Sequence, residues 1–432
     1  MLTPINEVLL KTNLLFCLLA FYILSCSPAS SKSEKAAAAA ALTTPDPVPA
    51  ADLARYQAAI RQFMDSNFRR GNFNGSILVA KKGQIIYEEY GGFSHYKGQK
   101  DSITSSTPFH LASVSKTITA MAVLKLWEEK KLSIDDSVSK YLIGFPLEGV
   151  TIRTLLNHRS GLPNYVHYME RLGWDKKKRI TNQEVLDFII ARHSEMDIAR
   201  PNRGFSYSNT NYALLALLVE KVGGLPFGEY IQKTIFDPLQ MKNSYVFSIA
   251  DSARSMPSYF YNGRQYAFDF LDLVYGDKNV YSTVEDLQKF ERSLAEYKFL
   301  SKASLDEAYI PYSNEKPGTH NYGLGWRMLL LKNGKKIIYH NGWWHGNRSA
   351  FYRLPDEEVT IIALCNNDSK MIYSTKKLAD LFGNYLQTGD KENDDENSPL
   401  PIVAQKKPAK APPVKKKKAS QSSKKRRPAP KK

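Results

Sequence analysis

Apolar and polar residues alternate in an ordered way only between about residues 51 and 387. At the start of this region, apolar side chains recur at helical spacing and predict an amphipathic helix; they are Leu53, Tyr56, Ile60, Phe63 and Met64. Two short apolar runs, at 76–80 and 84–88, flank Lys82-Gly83 and predict a β-hairpin. The stretch from 113 to 300 is mostly typical of helices joined by long loops.

Strand patterns return near the end of this region. They occupy residues 325–331, 336–340, 349–354 and 358–364, and a final helix is predicted at 373–386. Two early strands cannot make a stable sheet alone, whereas four late strands could accept them. We therefore predict an α+β fold, with one antiparallel sheet built from both chain ends and flanked by helices. The middle of the chain forms an inserted helical lobe, with a cleft between the lobe and the sheet.

The net charge of the chain belongs mainly to its C-terminal tail. The formal charge is +17, but thirteen basic residues and no acidic residue lie between 401 and 432, so residues 1–400 carry only +4. We predict that residues 388–432, acidic first and then basic, form a disordered tail. The tail either contacts an anionic surface or is simply solvated, and both readings stay open. The nearly neutral remainder argues against a nucleic-acid-binding protein.

The N-terminus has the pattern of an export signal. Lys11 precedes an eleven-residue apolar run that is too short to span a membrane. Cys26 follows it in a context that resembles the lipobox of bacterial lipoproteins, so residues 1–26 are predicted as a signal peptide with Cys26 lipidated. An ordinary secretion signal or an uncleaved anchor is the alternative. Residues 27–50 form an Ala/Ser/Pro spacer, and the protein is expected in the bacterial cell envelope, facing the periplasm or the surface.

The cysteine count agrees with a core-stabilised domain. Cys17 would leave with the signal peptide and Cys26 would carry lipid, so Cys365 would stand alone in the mature chain. An internal disulfide is then impossible, and stability must come from the packed core.

Ser113 and Lys116 are the first candidates for chemistry. The pattern Ser-x-x-Lys occurs six times, but only at Ser113 does it precede a long apolar helix. At a helix start, residues three apart lie on one face, and free backbone N–H groups point toward developing negative charge. A lysine amine can accept the proton of a neighbouring serine hydroxyl when burial favours the neutral amine. The alternative for Ser113 is an ordinary helix N-cap.

A second motif, Tyr207-Ser208-Asn209, immediately precedes another apolar helix. A phenol can take part in proton transfer when a neighbouring ammonium stabilises its charged form. The Asn209 amide could hold Lys116 or a substrate carbonyl. The same three residue types recur at 312–314 without a following helix, and we predict a plain loop there.

A third motif, His340-Asn341-Gly342-Trp343, ends a predicted strand. Gly342 has no side chain, so a substrate could lie against the backbone there like an added strand. The alternative is a polar turn within a hairpin.

In this order the three motifs resemble those of the penicillin-recognising serine hydrolases. They are most similar to the branch with class C β-lactamases, D-alanyl-D-alanine carboxypeptidases, D-aminopeptidases and related esterases. The resemblance implies that Ser113 attacks a carbonyl and that Lys116 and Tyr207 share the proton transfers. It implies that Asn209 binds the substrate amide, and that the backbone N–H groups of Ser113 and Trp343 form the oxyanion hole. It implies no cofactor and no metal.

Two differences from this family bear on the substrate. His340 stands where β-lactamases usually have lysine, and Asn341 stands where a hydroxyl commonly helps to hold a substrate carboxylate. Both differences argue against efficient penicillin hydrolysis, while Trp343 and Trp344 favour an ester or a hydrophobic acyl group. We predict an esterase-like serine hydrolase with a small ester, amide or peptide substrate. The alternatives are a D-amino-acid or cell-wall peptidase, then a β-lactamase, then a non-catalytic module that docks on the envelope.

Overall fold

The computed structural model describes residues 42–68 and 73–386. The predicted signal peptide with Cys26, the spacer up to residue 41 and the tail from 388 to 432 lie outside the described residues. The described strands are β1 (Gly75–Lys81), β2 (Gln84–Gly91), β3 (Phe93–His95), β4 (Lys100–Ser102), β5 (Phe109–His110), β6 (Tyr245–Val246), β7 (Val280–Ser282), β8 (His320–Tyr322), β9 (Arg327–Leu330), β10 (Lys336–Trp344), β11 (Asn347–Leu354) and β12 (Val359–Cys365). The described α-helices are α1 (Ala50–Asn67), α2 (Ser115–Glu128), α3 (Ile152–Leu156), α4 (Tyr165–Arg171), α5 (Asn182–Arg192), α6 (Asn209–Gly223), α7 (Phe227–Ile231), α8 (Val284–Ala295) and α9 (Lys302–Ala308).

One antiparallel sheet joins the two ends of the folded region. Its strand order is β2-β1-β12-β11-β10-β9-β8. The early hairpin enters the sheet through β1, which pairs with β12 so that Val79 lies opposite Ile361. Lys82 and Gly83 close the hairpin with positive φ angles of 50° and 77°, as a tight two-residue turn requires. The predicted α+β architecture and the predicted hairpin are confirmed.

Both faces of the sheet are covered, so its inner strands β1, β11 and β12 are buried along almost their whole length. On β1, Ile77 and Val79 pack toward α1, whereas Leu78 and Ala80 pack toward the helical lobe. The amphipathic helix α1 has the predicted side chains at this interface, including the fully buried Ile60. The lobe in turn is organised around α2 and α6, which are buried along most of their length.

A second, three-stranded sheet was not predicted, because two of its strands are only two residues long. Its order is β5-β7-β6, and β5 pairs with β7 through Phe109 and Ser282. A hydrogen bond of 2.8 Å from the backbone N–H of Leu111 to the carbonyl of Val280 extends this pairing. The small sheet therefore anchors the chain just before Ser113.

Besides shifts of one to three residues at strand ends, two predicted boundaries and one predicted helix type were wrong. The helix expected to open at Ser113 begins at Ser115, after a 3₁₀ turn at Ala112–Val114. Strand β10 continues to Trp344 instead of stopping at residue 340. The helix predicted at 373–386 is a 3₁₀ segment, Lys370–Leu381, whose residues 372, 375 and 378 are buried; a spacing of three suits a 3₁₀ helix. None of the helices within 42–68 and 73–386 is both long and apolar enough to span a membrane.

Candidate active site

The nucleophile candidate Ser113 lies in the short turn between β5 and α2. Ala112 adopts a φ of 47°, a conformation that residues with a side chain rarely adopt. The turn is held by a hydrogen bond of 3.0 Å from the N–H of Ala112 to Nδ1 of His110. Backbone strain of this kind persists where surrounding contacts enforce it. It leaves the Ser113 side chain half-exposed at the edge of the buried helix α2.

Lys116 is completely buried and lies one helical turn beyond Ser113. Its Nζ atom donates to Ser113 Oγ at 3.0 Å and to the backbone carbonyl of Asp277 at 2.7 Å. The rings of Tyr207 and Tyr212 lie with their centroids 5.1 and 5.7 Å from Nζ. A buried lysine amine needs such hydrogen bonds and aromatic contacts to offset the loss of water. The predicted Ser113–Lys116 pair is therefore formed.

The first Tyr-Ser-Asn motif meets this pair from the other side of the lobe. Tyr207 and Ser208 precede α6, and Asn209 is its first residue. Tyr207 Oη and Asn209 Oδ1 are both buried and have no hydrogen-bond partner among the described residues. Leaving a buried polar atom unsatisfied is costly unless a ligand completes it. These two atoms are thus available to a substrate, while Nζ of Lys116 is held by the Asp277 carbonyl rather than by Asn209.

His158 supports this motif and was not predicted as a site residue. Its Nδ1 accepts hydrogen bonds from the backbone N–H of Ser208 at 3.2 Å and from the Asn211 amide at 3.1 Å. Its ring centroid lies 4.4 Å from that of Tyr207. Burial, followed by the charge of Lys116, lowers the pKa of His158 well below its ordinary value. A neutral imidazole with its proton on Nε2 therefore holds the tyrosine loop.

The third motif brings a second neutral histidine to the site. His340 is completely buried on β10; its Nδ1 lies 2.7 Å from the carbonyl of Asn341, and its Nε2 lies 3.2 Å from the hydroxyl of Tyr322. Because a carbonyl only accepts, the proton resides on Nδ1. Burial is the largest cause that lowers the pKa of His340 well below its ordinary value, and the charge of Arg327 adds to it. His340 is therefore not a cation at neutral pH.

Gly342 allows β10 to approach the Ser113 turn. A Cβ atom at this position would lie 3.0 Å from the backbone nitrogen of Ser113 and 2.4 Å from the carbonyl oxygen of Leu111. Ser349, opposite Gly342 on β11, also donates to the Leu111 carbonyl at 2.6 Å. Any side chain at Gly342 would push the strand away. The strand that carries the Trp343 N–H is thus locked against the turn that carries the Ser113 N–H.

The end of β10 presents an open backbone edge. Its pairing with β9 ends at Tyr339 opposite Arg327, whereas its pairing with β11 continues to Trp344 opposite Asn347. Residues 340–344 therefore have a neighbouring strand of this sheet on one side only. An extended substrate can add to such an edge through main-chain hydrogen bonds. Trp343 at this edge is 42% exposed.

Arg327 is a second residue that the sequence analysis missed. Its guanidinium carbon lies 5.0 Å from the ring centroid of Tyr207. It faces Tyr339 in the β9–β10 register, and the alternation of side chains along a strand places Asn341 on that same sheet face. Asn341 is 9% exposed, and its Oδ1 has no partner among the described residues. The positive charge at this side of the site comes from Arg327, not from His340.

Within the described ranges, one group of side chains has a geometry that a metal ion could use. The ligand atoms of Asp269, Asp272 and His345 lie within 4.8 Å of one another. The carboxylate of Asp272, however, already accepts from Trp344 Nε1 at 2.7 Å and contacts His345 Nε2 at 3.0 Å. These groups satisfy each other, and they brace the end of β10.

Comparison with known proteins agrees with this geometry. The family model described as Beta-lactamase matches residues 56–380. Penicillin-binding protein 4* of Bacillus subtilis is 33% identical over 320 residues, which cover 70% of this chain and 70% of that protein. The teichoic acid D-alanine hydrolase of Staphylococcus aureus is 26% identical over 308 residues, which cover 70% of this chain and 72% of that protein.

A solved structure shows the same fold. The octameric penicillin-binding protein homologue from Pyrococcus abyssi superposes with a TM-score of 0.64 and 26% identity, over 75% of this chain and 77% of that chain. The family model spans most of the described residues, from α1 into the final 3₁₀ segment. The chain therefore belongs to the β-lactamase family of serine hydrolases, as the order of its three motifs predicted.

Proposed function

We propose that Ser113 is the nucleophile of this hydrolase and that it cleaves an ester or amide through an acyl-serine intermediate. The observation that carries the proposal is the distance of 3.0 Å between Nζ of the fully buried Lys116 and Oγ of Ser113. Ser113 Oγ attacks the carbonyl carbon while its proton passes to the neutral amine of Lys116, and the leaving alcohol or amine takes that proton from the Lys116–Tyr207 pair as its bond breaks. Water then repeats the sequence and releases the acid.

Tyr207 is the second member of the proton-transfer pair. Lys116 Nζ lies 5.1 Å from the centre of the Tyr207 ring, and the Tyr207 hydroxyl is buried without a partner among the described residues. That hydroxyl is free to face the leaving group of a bound substrate. Asn209 Oδ1 is open in the same way and would accept the N–H of an amide substrate.

The oxyanion formed during attack would be held by the backbone N–H groups of Ser113 and Trp343. The close approach of Gly342 to the Ser113 turn supports this pairing. Removing one such donor typically slows turnover by about 10²–10³-fold. The tight contact also means that the two donors are arranged before substrate binds, which is where most of their benefit arises.

For the substrate, the site favours an ester or amide without a carboxylate next to His340. A neutral, buried imidazole offers no positive charge where β-lactamases are expected to have a lysine. The exposed Trp343 ring, against which the Arg348 guanidinium stacks at 4.5 Å, presents a flat surface at the strand edge. We therefore propose an esterase-like activity toward a substrate with an apolar group beside Trp343.

A second candidate is hydrolysis of a peptide that ends in a carboxylate. Arg327 and Asn341 share one face of the β9–β10 pair, and a guanidinium is well suited to bind a carboxylate. The names of two relatives, a penicillin-binding protein and a teichoic acid D-alanine hydrolase, also point toward cell-wall substrates. Ester and peptide activities would then differ in their dependence on Arg327.

A substrate panel tests both candidates. We would measure nitrophenyl esters of increasing chain length, a chromogenic cephalosporin and D-alanyl peptides with the wild type and with Ser113→Ala. We expect ester turnover by the wild type, none by Ser113→Ala, and fluorophosphonate labelling only of the wild type. Equal labelling of both proteins would refute the acyl-serine mechanism. Peptide turnover that exceeds ester turnover and depends on Arg327 would favour the second candidate.

We also propose that the protein is anchored at the envelope through Cys26. The short apolar run before Cys26 and the envelope-related names of the relatives support this location. Cys26→Ser should move the protein from the membrane fraction to the soluble fraction, and unchanged partitioning would contradict lipidation.

If the tail binds an anionic surface, deleting residues 401–432 should remove a salt-sensitive interaction and leave turnover intact.

A further inference from the structure

Lys278 is a second buried lysine beside the Ser113–Lys116 pair. Its side chain is 3% exposed, and its ammonium donates to the hydroxyl of Tyr165 and lies 3.4 Å from Asp277 Oδ2. Tyr165 in turn donates to the same carboxylate oxygen at 3.0 Å. The Asp277 side chain is only 1% exposed. These three residues form a buried ion-pair cluster, in which Asp277 Oδ1 has no hydrogen-bond partner among the described residues.

This cluster contacts both halves of the catalytic machinery. On one side, the backbone carbonyl of Asp277 accepts the hydrogen bond from Lys116 at 2.7 Å. On the other side, the Lys278 ammonium lies 4.7 Å from the ring centroid of Trp344, the residue after Trp343. The indole N–H of Trp344 is fixed to Asp272 at 2.7 Å. Lys278 therefore connects two parts of the site. One is the Asp277 segment, which holds Lys116, and the other is strand β10, which carries the Trp343 N–H.

Stability alone does not account for a lysine at this position. Burying an ion costs several kcal/mol, and a well-packed apolar side chain of similar volume is often equally stable or more stable. Burial lowers the pKa of Lys278, while the carboxylates of Asp277 and Asp272 oppose that effect. The position thus keeps a costly charge where a methionine would fill the same space.

We propose that Lys278 is a positioning residue of this hydrolase, which rests on the function proposed above. Its ion pair with Asp277 fixes the carbonyl that holds Lys116 against Ser113. Its contact with Trp344 fixes the end of β10. Removing its charge disturbs both, and it also leaves the Asp277 carboxylate without its cation close to Lys116.

The charge change predicts a shift in the pH profile. The groups that act on Lys278 are Asp277, Asp272, Tyr165 and Lys116. Lys116 has further neighbours in the site, which are Ser113, Tyr207, Tyr212, His158 and His340, and Arg327 acts on the two histidines. Without Lys278, the uncompensated carboxylate of Asp277 would favour the protonated form of Lys116, the proposed base. Activity would then need a higher pH than in the wild type.

The test is Lys278→Met, with Lys278→Arg as the conservative variant and Lys289→Met as the matched control. Lys289 forms an ion pair of 2.7 Å with Asp286 on α8, which Lys116 does not contact. We expect kcat of Lys278→Met on a nitrophenyl ester to fall by about 10–100-fold with KM nearly unchanged. We expect the acid limb of its rate profile to move up by about one pH unit. Lys278→Arg should recover part of both effects, and Lys289→Met should match the wild type.

Wild-type kcat and an unmoved acid limb in a folded Lys278→Met would overturn the inference. So would a loss of kcat that parallels a loss of thermal stability with the acid limb unmoved, since that is a structural effect. If Lys278→Met does not fold, Lys278→Gln decides: it removes the charge but keeps a hydrogen-bond donor toward Tyr165, and an unmoved acid limb would then overturn the inference. Fluorophosphonate labelling of the wild type separates this outcome from failure of the proposed function, which would leave the wild type unlabelled.

Discussion

Two identical tripeptides in this chain have very different surroundings. Tyr207-Ser208-Asn209 leads into the buried helix α6, and its tyrosine and asparagine carry buried polar atoms without partners among the described residues. Tyr-Ser-Asn at 312–314 lies in an irregular segment after α9, and its asparagine is exposed. The motif alone therefore does not define the site.

The two tyrosines illustrate the difference best. The hydroxyl of Tyr312 accepts from Arg153 at 2.8 Å and donates to Glu307 at 2.5 Å. It is thus committed to a surface ion-pair network. The hydroxyl of Tyr207 has no such commitment within the described part of the chain, and its ring packs between Lys116 and the neutral His158. A catalytic tyrosine needs a ring fixed by packing and a hydroxyl that no other protein group occupies. Of the two tyrosines, only Tyr207, in the first copy of the tripeptide, meets both conditions.

The largest expected effect on kcat comes from replacing Tyr207. Tyr207→Phe should lower kcat by about 10²–10⁴-fold, the usual contribution of a group that transfers protons in the transition state. Tyr312→Phe is the matched control and should leave kcat within about twofold, since surface substitutions rarely disturb a distant site. Steady-state kinetics on one nitrophenyl ester measures both variants. A Tyr207→Phe enzyme with wild-type kcat would remove the functional distinction between the two copies.

The asparagines should differ in the same direction but by less. Asn209→Ala removes one hydrogen-bonding group from the substrate, so kcat/KM should fall by about 10–100-fold on an amide. Asn314→Ala removes contacts of 2.8 Å with Pro311 and Asn321 on the exposed loop and should not change kcat/KM. Comparing amide and ester substrates sharpens the test. An ester has no N–H that could donate a hydrogen bond to Asn209, so Asn209→Ala should affect the ester less than the amide. Equal losses on both substrates would assign Asn209 a structural role.

The histidine behind the first copy predicts a pH effect on stability. An unfolded histidine titrates near its ordinary value of about 6.5, whereas folded His158 stays neutral because its pKa is lowered. Below that pH the unfolded state gains a proton that the folded state does not, so stability falls as the pH falls. The slope from this residue approaches about 1.4 kcal/mol per pH unit.

Urea unfolding between pH 6.5 and 4.5 measures this slope. Asparagine suits the left-handed φ of 58° at this position. His158→Asn should lower the slope of stability against pH by the contribution of one proton, about 1.4 kcal/mol per pH unit. His167→Gln, on the exposed side of α4, serves as the control and should leave the slope unchanged. If the stability of His158→Asn depends on pH as steeply as that of the wild type, His158 must gain a proton in the folded protein as well as in the unfolded protein.

The smallest expected effect is on stability at the second copy. Tyr312→Phe removes hydrogen bonds to Arg153 and Glu307, which should lower the free energy of unfolding by about 1 kcal/mol. Arg153 and Glu307 keep their own ion pair in the variant, which limits the loss. Thermal unfolding measures the change. A loss of activity without a loss of stability would place the second copy in the site after all.

Local features of the fold were predictable because they depend on neighbouring residues. The hairpin at Lys82-Gly83 follows from turn stereochemistry, and α1 follows from helical spacing of apolar residues. The boundary at Ser113 was wrong because the turn at Ala112 is held by His110 in β5 and, through the Leu111–Val280 hydrogen bond, by β7, which is far away in the sequence. Strand β8 and the small β5-β7-β6 sheet were missed because strands of two or three residues carry no periodic signal.

The site divides in the same way. The sequence by itself determined the fold class, the order of the three motifs and the membership of Ser113, Lys116 and Tyr207 in one family pattern. Only the tertiary structure decided that Tyr207 packs against Lys116 with its hydroxyl unpartnered among the described residues, that His340 is neutral, and that Arg327 and Lys278 supply the nearby charges. The physical reason is that burial and the field of distant residues set protonation and hydrogen bonding, and neither is encoded in local spacing.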